Sequence, residues 1–273
     1  MLRPRDSFDL RILRTGLPID PPAALTWMHD VCGNSIAMAS FSQPSQVLSI
    51  DSELILKRYA STSPRGAAGP WAGRAPVAYS VAERIVLTPF IAASEPDPDG
   101  KLSAFAERAV DARSGQKGHP LLDLSHAIHD ALAYSVRLEE GTQEPLVTLQ
   151  SARGSCRGYA WLFIEAARSL GYAARFVSGY LHNFAEDVQA GSAPITASVG
   201  HSQAWAEVYV PGDGWIEFDP TNALVADRHL IRISMTRTPS ESSPVSGSFR
   251  GDASAATPEV NVAIEPVAAQ EPW

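Results

Sequence analysis

Residues 159–170 form one strongly helical run, closed by Gly171 as a C-cap, and the text changes character sharply on either side of it. Before it, Arg153-Gly154-Ser155 ends an irregular stretch, which places Cys156 in the first turn of the helix. After it, residues 174–181 and 204–210 have the branched, alternating look of strands. Pro211-Gly212-Asp213-Gly214 then turns the chain into Trp215-Ile216-Glu217-Phe218-Asp219, an antiparallel hairpin. A helix followed directly by antiparallel strands points to an α+β architecture in which the Cys156 helix packs on a sheet.

The flanking text is weaker but patterned. Residues 47–56 and 80–87 alternate as half-buried strands, so residues 1–94 are expected to be a β-rich N-terminal region. Residues 63–76, rich in Pro, Gly and Ala, are expected to be a surface loop anchored by Trp71. Residues 94–100 carry two prolines in a polar context and are expected to link that region to a core over 95–250. Within the core, apolar residues in 102–110 and 124–136 recur at helical spacing and predict two helices before the cysteine. Residues 229–235 predict a further strand and 260–264 a last short one, leaving a loose tail within 251–273.

Composition narrows the function classes. With 22 Lys and Arg against 30 Asp and Glu, the net charge is -8, and no positive field would attract a nucleic-acid backbone. No run reaches the roughly 18 to 20 apolar residues that cross a bilayer, and the text opens on Arg3, Arg5 and Asp6. A soluble, cytoplasmic protein with neither nucleic-acid nor membrane partners is expected. Two cysteines, Cys32 and Cys156, are too few for a disulfide framework or a structural zinc site, so Cys156 is expected to act as a thiol.

A cysteine at a helix N-terminus faces the positive end of the helix dipole and unpaired amides, which favour thiolate and could hold an oxyanion. The same position also suits a buried structural cysteine. The surrounding motifs decide between the two. Arg153-Gly154-Ser155-Cys156-Arg157, the strand holding Ser178-Gly179-Tyr180, the Ala204-Trp205-Ala206-Glu207 strand and Gly214-Trp215 through Asp219-Pro220-Thr221-Asn222 resemble the bacterial transglutaminase-like family, in order, over 146–222. Arg3-Pro4-Arg5 and the stretch from Asp30 to Asn34 resemble its β-rich N-terminal region, clipped at its start, and residues 230–233 and 246–251 its C-terminal continuation.

The resemblance implies a papain-like transglutaminase core and a Cys-His-Asp triad acting on peptide or protein amides, by hydrolysis or acyl transfer, with no metal and no cofactor. Cys156 falls on the nucleophile position and Asp219 on the aspartate position. The family's histidine position holds Gln203, whose carboxamide accepts no proton near neutral pH. His201, two residues earlier and on the same face by strand alternation, is the candidate base. The alternative is a non-catalytic peptide- or protein-binding module that keeps the fold. Gly158 departs from the acidic residue common two positions after the nucleophile, and Gln150 is a candidate oxyanion donor.

The remaining residues are expected to be structural. His126 and His129 lack companions in metal-ligand spacing, Trp205 and Trp215 are expected to pair across facing strands, and Arg175 to snorkel or to pair with a carboxylate such as Glu207. Trp161, little more than a turn from Cys156, is the aromatic residue that could face a substrate.

Overall fold

The computed structural model describes residues 1–59, 77–111, 119–137, 139, 141–182, 202–225, 229–251, 259–265 and 267. Its centre is the helix anticipated from the sequence, α5 (Cys156–Ser169), in which residues 158–168 are all buried. The chain leaves it through a Schellman turn: Gly171 takes φ +86°, its amide donates to Arg168 O at 2.9 Å, and the Tyr172 amide donates to Ala167 O at 3.0 Å. A side chain at Gly171 would be strained at that φ.

The strands that follow build one antiparallel sheet. β9 (Ala173–Leu181), β10 (Ser202–Val210), β11 (Gly214–Asp219), β12 (Leu224–Val225) and β13 (Leu230–Thr236) stand in the order β12-β11-β10-β9-β13. Alternation divides the sheet between two environments. Ala204, Ala206, Val208, Ile216 and Phe218 pack with α5 in the main core, whereas Trp205 joins Val177, Leu181 and Leu230 in a separate cluster. Three helices complete the α5 side: α2 (Lys101–Asp111), α3 (Pro120–Ala131) and α4 (Pro145–Ser151). Between α3 and α5 run β7 (Ala133–Tyr134) and β8 (Arg153–Gly154), a short parallel pair.

Gly179 shows how tightly the sheet is assembled. A Cβ there would lie 2.1 Å from Ile231 O and 2.5 Å from the Trp205 ring, so the position is closed to any side chain.

The N-terminal strands are β1 (Leu10–Gly16), β2 (Ile19–Asp20), β3 (Ala24–His29), β4 (Ser35–Ser40), β5 (Ser49–Ile50) and β6 (Glu53–Arg58). They form three two-stranded ribbons, β1-β6, β2-β5 and β3-β4. The β1-β6 ribbon meets β13 through Leu10, Ile12, Leu54 and Leu56 against Ile231 and Ile233.

Below that apolar contact lies a buried ion cluster. Arg58 pairs with Asp9 and, at 3.1 Å, with Glu217. Arg232 reaches Asp9 at 3.3 Å, Glu207 at 3.1 Å and Glu217 at 3.0 Å, while Arg175 closes on Glu207 at 2.6 Å, as expected from the sequence. The three carboxylates and three guanidiniums tie the ribbon to the sheet, and each buried charge is compensated.

Three local expectations fail for physical reasons. Residues 80–87 are not a strand but the start of α1 (Val81–Ile91), because Ser80 and Glu83 form a reciprocal capping box that nucleates a helix. The run 47–56 is broken at Asp51–Ser52 into β5 and β6. Residues 259–265 are irregular, so the short strand expected at 260–264 does not form.

The 94–100 linker is ordered by side chains rather than loose. Glu165 on α5 accepts the Ser94 and Glu95 amides at 3.0 and 3.2 Å, and the Asp97 carboxylate accepts the first amides of α2. Trp71 and residues 63–76 lie outside the described residues.

Candidate active site

Cys156 is the first residue of α5, as the motif order implies. The main-chain amides of Arg157, at the helix end, and of Ala204, on β10, lie near its thiol sulfur. The electrostatic benefit of that helix end is outweighed. Burial pushes the thiol up from its ordinary value, and the nearby Asp219 carboxylate pushes in the same direction, against the two amides and the Arg157 charge. The expectation of a thiolate from helix position alone is therefore corrected.

Asp219 ends β11 and is fully buried. Four donors converge on it: the Thr221 and Asn222 amides on Oδ1 at 2.9 and 3.3 Å, and the Asn222 and Gln203 carboxamides on Oδ2 at 2.9 and 3.0 Å. Burial raises this carboxyl, with Asn222 and Gln203 as the leading opposing contributions. The turn beyond it is held from α3, where His129 Nδ1 lies 3.2 Å from Pro220 O and 3.1 Å from Thr221 O.

The structure thus brings Cys156, Asp219 and Gln203 together. Gln203 Nε2 donates to Asp219 Oδ2 where, by the motif order, an imidazole N–H would donate. His201 lies outside the described residues; β10 begins at Ser202.

Several other candidates fall elsewhere. Gln150 is on the exposed face of α4, while Thr148 of the same helix packs against Gly154 and Gly158. A Cβ at Gly158 would stand 3.4 Å from Thr148 Oγ1, in contact with α4. Trp161 faces the linker, donating to Glu95 Oε1 at 3.3 Å beneath the Arg168 guanidinium. Trp205 and Trp215 do not pair. Trp215 stacks edge-on with Tyr209 and Phe90, with Arg175 over its ring at 4.0 Å. Among the described residues no group of three or more His, Cys, Asp or Glu could hold a metal ion.

Asn222, His129 and the tyrosines Tyr134 and Tyr159 were missed by sequence reasoning. Asn222 alone had a visible signal, since it closes the Asp-Pro-Thr-Asn motif. The Tyr159 hydroxyl donates to Leu132 O at 2.6 Å and so fixes the segment beside Cys156, a contact that only the folded chain reveals.

Comparison with known proteins agrees with this fold. Residues 105–220 match the transglutaminase-like superfamily core, and residues 1–57 match the bacterial transglutaminase-like N-terminal region. The chain belongs to the transglutaminase-like superfamily, with the bacterial N-terminal region ahead of its core. The uncharacterized proteins Rv2569c of Mycobacterium tuberculosis and Mb2599c of Mycobacterium bovis are each 28% identical over 285 residues, covering 97% of this chain and 85% of their own. A solved structure from Cytophaga hutchinsonii, named a "Putative Cysteine Protease", superposes with a TM-score of 0.61 at 18% identity, over 88% of this chain and 75% of that one. That likeness is one of fold.

Proposed function

We propose that this chain recognises peptide or protein amides at Cys156 and binds them without efficient turnover. The observation that carries this reading is the 3.0 Å bond from Gln203 Nε2 to Asp219 Oδ2. A Cys-dependent acyl transfer needs a group that removes the thiol proton and later protonates the leaving amine. A carboxamide does neither, and a sulfur whose burial favours the neutral thiol does not ionise unaided. Loss of a triad base lowers turnover by about 10⁴ to 10⁶.

A second reading is supported by the amides of Arg157 and Ala204 near the sulfur, the arrangement that would also stabilise an oxyanion. In it Cys156 is the nucleophile of a hydrolase or acyl transferase, His201 the base and Asp219 its orienting group.

Peptide-amide turnover by the parent, Gln203→His and His201→Ala separates the two. The binding reading expects the parent at background and a gain of at least about tenfold in Gln203→His. Turnover by the parent that His201→Ala abolishes would overturn it in favour of the triad.

A further inference from the structure

Among the described residues, the β7/β8 pair leaves one strand edge unused beside the thiol. In its parallel register, Ala133 stands against Arg153 and Tyr134 against Gly154. The Ala133 amide donates to Ala152 O and the Ser135 amide to Gly154 O, both at 2.9 Å. Strand alternation therefore turns the amide and carbonyl of Tyr134 to the opposite side, away from β8.

That edge is held close to the sulfur. β8 ends two residues before Cys156, and the Tyr159 hydroxyl, one turn along α5, grips Leu132 O at 2.6 Å. The Tyr134 hydroxyl lies within electrostatic reach of the Cys156 thiol. The edge also faces solvent: Tyr134 is 55% exposed and Val136 73%. Its text, Leu132-Ala133-Tyr134-Ser135-Val136, contains none of the charges or prolines with which proteins blunt a free edge.

We propose that this outer edge of β7 docks an extended segment of substrate polypeptide beside Cys156, with apolar side chains of that segment lying over Tyr134 and Val136. The inference rests on the peptide-recognition reading above and adds how the peptide is gripped: by main-chain pairing with Tyr134, in the manner of strand addition. One residue's amide and carbonyl offer two hydrogen bonds, each of them individually weak in water. Two such bonds orient a peptide beside the thiol but would not hold a folded partner or a second copy of the chain.

The test uses alkylation of Cys156, followed at that residue by mass spectrometry at alkaline pH. The probes are iodoacetamide and acetyl-Val-Val-Ala chloromethyl ketone, each rate divided by the same reagent's rate with free cysteine. In the second reaction the thiolate displaces chloride from the reagent's terminal carbon, so a C–S bond forms, a C–Cl bond breaks and chloride leaves. The peptide is then N-methylated at each amide in turn, and the parent is compared with Tyr134→Pro, which removes an amide that β8 does not use.

The expected result is a peptide reagent enhanced over iodoacetamide, an enhancement that falls about tenfold with N-methylation at one position and in Tyr134→Pro. Enhancement insensitive to every N-methylation would overturn the β7 edge while leaving peptide recognition standing. No enhancement at all would overturn both. Should Tyr134→Pro fail to fold, the N-methyl series on the parent decides alone.

Discussion

Two groups of buried carboxylates in this molecule are satisfied in opposite ways. At the junction of the N-terminal ribbon and the sheet, Asp9, Glu207 and Glu217 meet three arginines. At the other site Asp219, equally buried, meets only neutral donors, the amides and carboxamides of residues 203, 221 and 222. Within the ion cluster the carboxyl directions are split, Glu217 being raised by burial while Glu207 is lowered. Glu207 is held low by Arg175 and Arg232 against the upward push of burial, whereas Asp219 is raised because burial meets no neighbouring cation strong enough to offset it. The first cluster is a fastening. The second is a carboxylate bonded to carboxamides and amides, none of which becomes cationic.

The largest expected effect breaks the first cluster. Arg232→Leu takes away one of the two guanidiniums that each of Asp9, Glu207 and Glu217 touches, leaving three buried carboxylates to Arg58 and Arg175, and should cost about 3 to 5 kcal/mol in urea unfolding. A loss below about 1 kcal/mol would mean that the cluster is not what joins ribbon to sheet.

Asp219→Asn should cost less, about 1 to 2 kcal/mol, because both carboxamides that contact Oδ2 can rotate to present their oxygens instead. It should also shift the pH profile of Cys156 alkylation downward, since the Asp219 charge is one of the influences that raise the thiol. A cost equal to that of Arg232→Leu would erase the contrast between the two sites.

The smallest effect is a change of slope. Burial pushes Glu217 up to about 7 from 4.5, with Glu207 and Asp9 adding to the push and Arg232 and Arg58 opposing it. The folded state therefore holds this proton more tightly. Its contribution to stability is full below about pH 4.5 and is lost as pH rises through about 7. His119, pushed down to about 4 by burial, acts in the opposite sense, its contribution being lost as pH falls through that value. Glu217→Gln should thus remove a fall in stability between about pH 4.5 and 7 and leave the His119 limb intact. Parallel parent and variant curves across that window would contradict the assignment.

Much of this was legible in the sequence, and the legible part follows a rule. α5, β9, β10, the β10-β11 hairpin and β13 are long, strongly patterned elements whose apolar period matches their burial, and each lies within a few residues of its expected place. Helix α1 was misread because Val81, Ile85 and Val86 are exposed, so its apolar residues follow no buried stripe and only the Ser80–Glu83 cap carries the helical signal. At the site, Cys156 and Asp219 could be found because motif order carries them. The thiol's protonation could not, because it depends on how deeply the sulfur is buried and how near Asp219 lies, and both are tertiary facts. The grip of Tyr159 on Leu132 joins residues 27 apart and leaves no trace in local pattern.

The most direct measurement is the thiolate ultraviolet absorbance of Cys156 across pH, taken as the difference between the parent and Cys156→Ser. A sulfur deprived of an imidazole partner should stay neutral through pH 7 and ionise only above the ordinary thiol range. Thiolate already formed at mildly acidic pH would reveal a cationic partner at the sulfur and return Cys156 to the role of an active nucleophile.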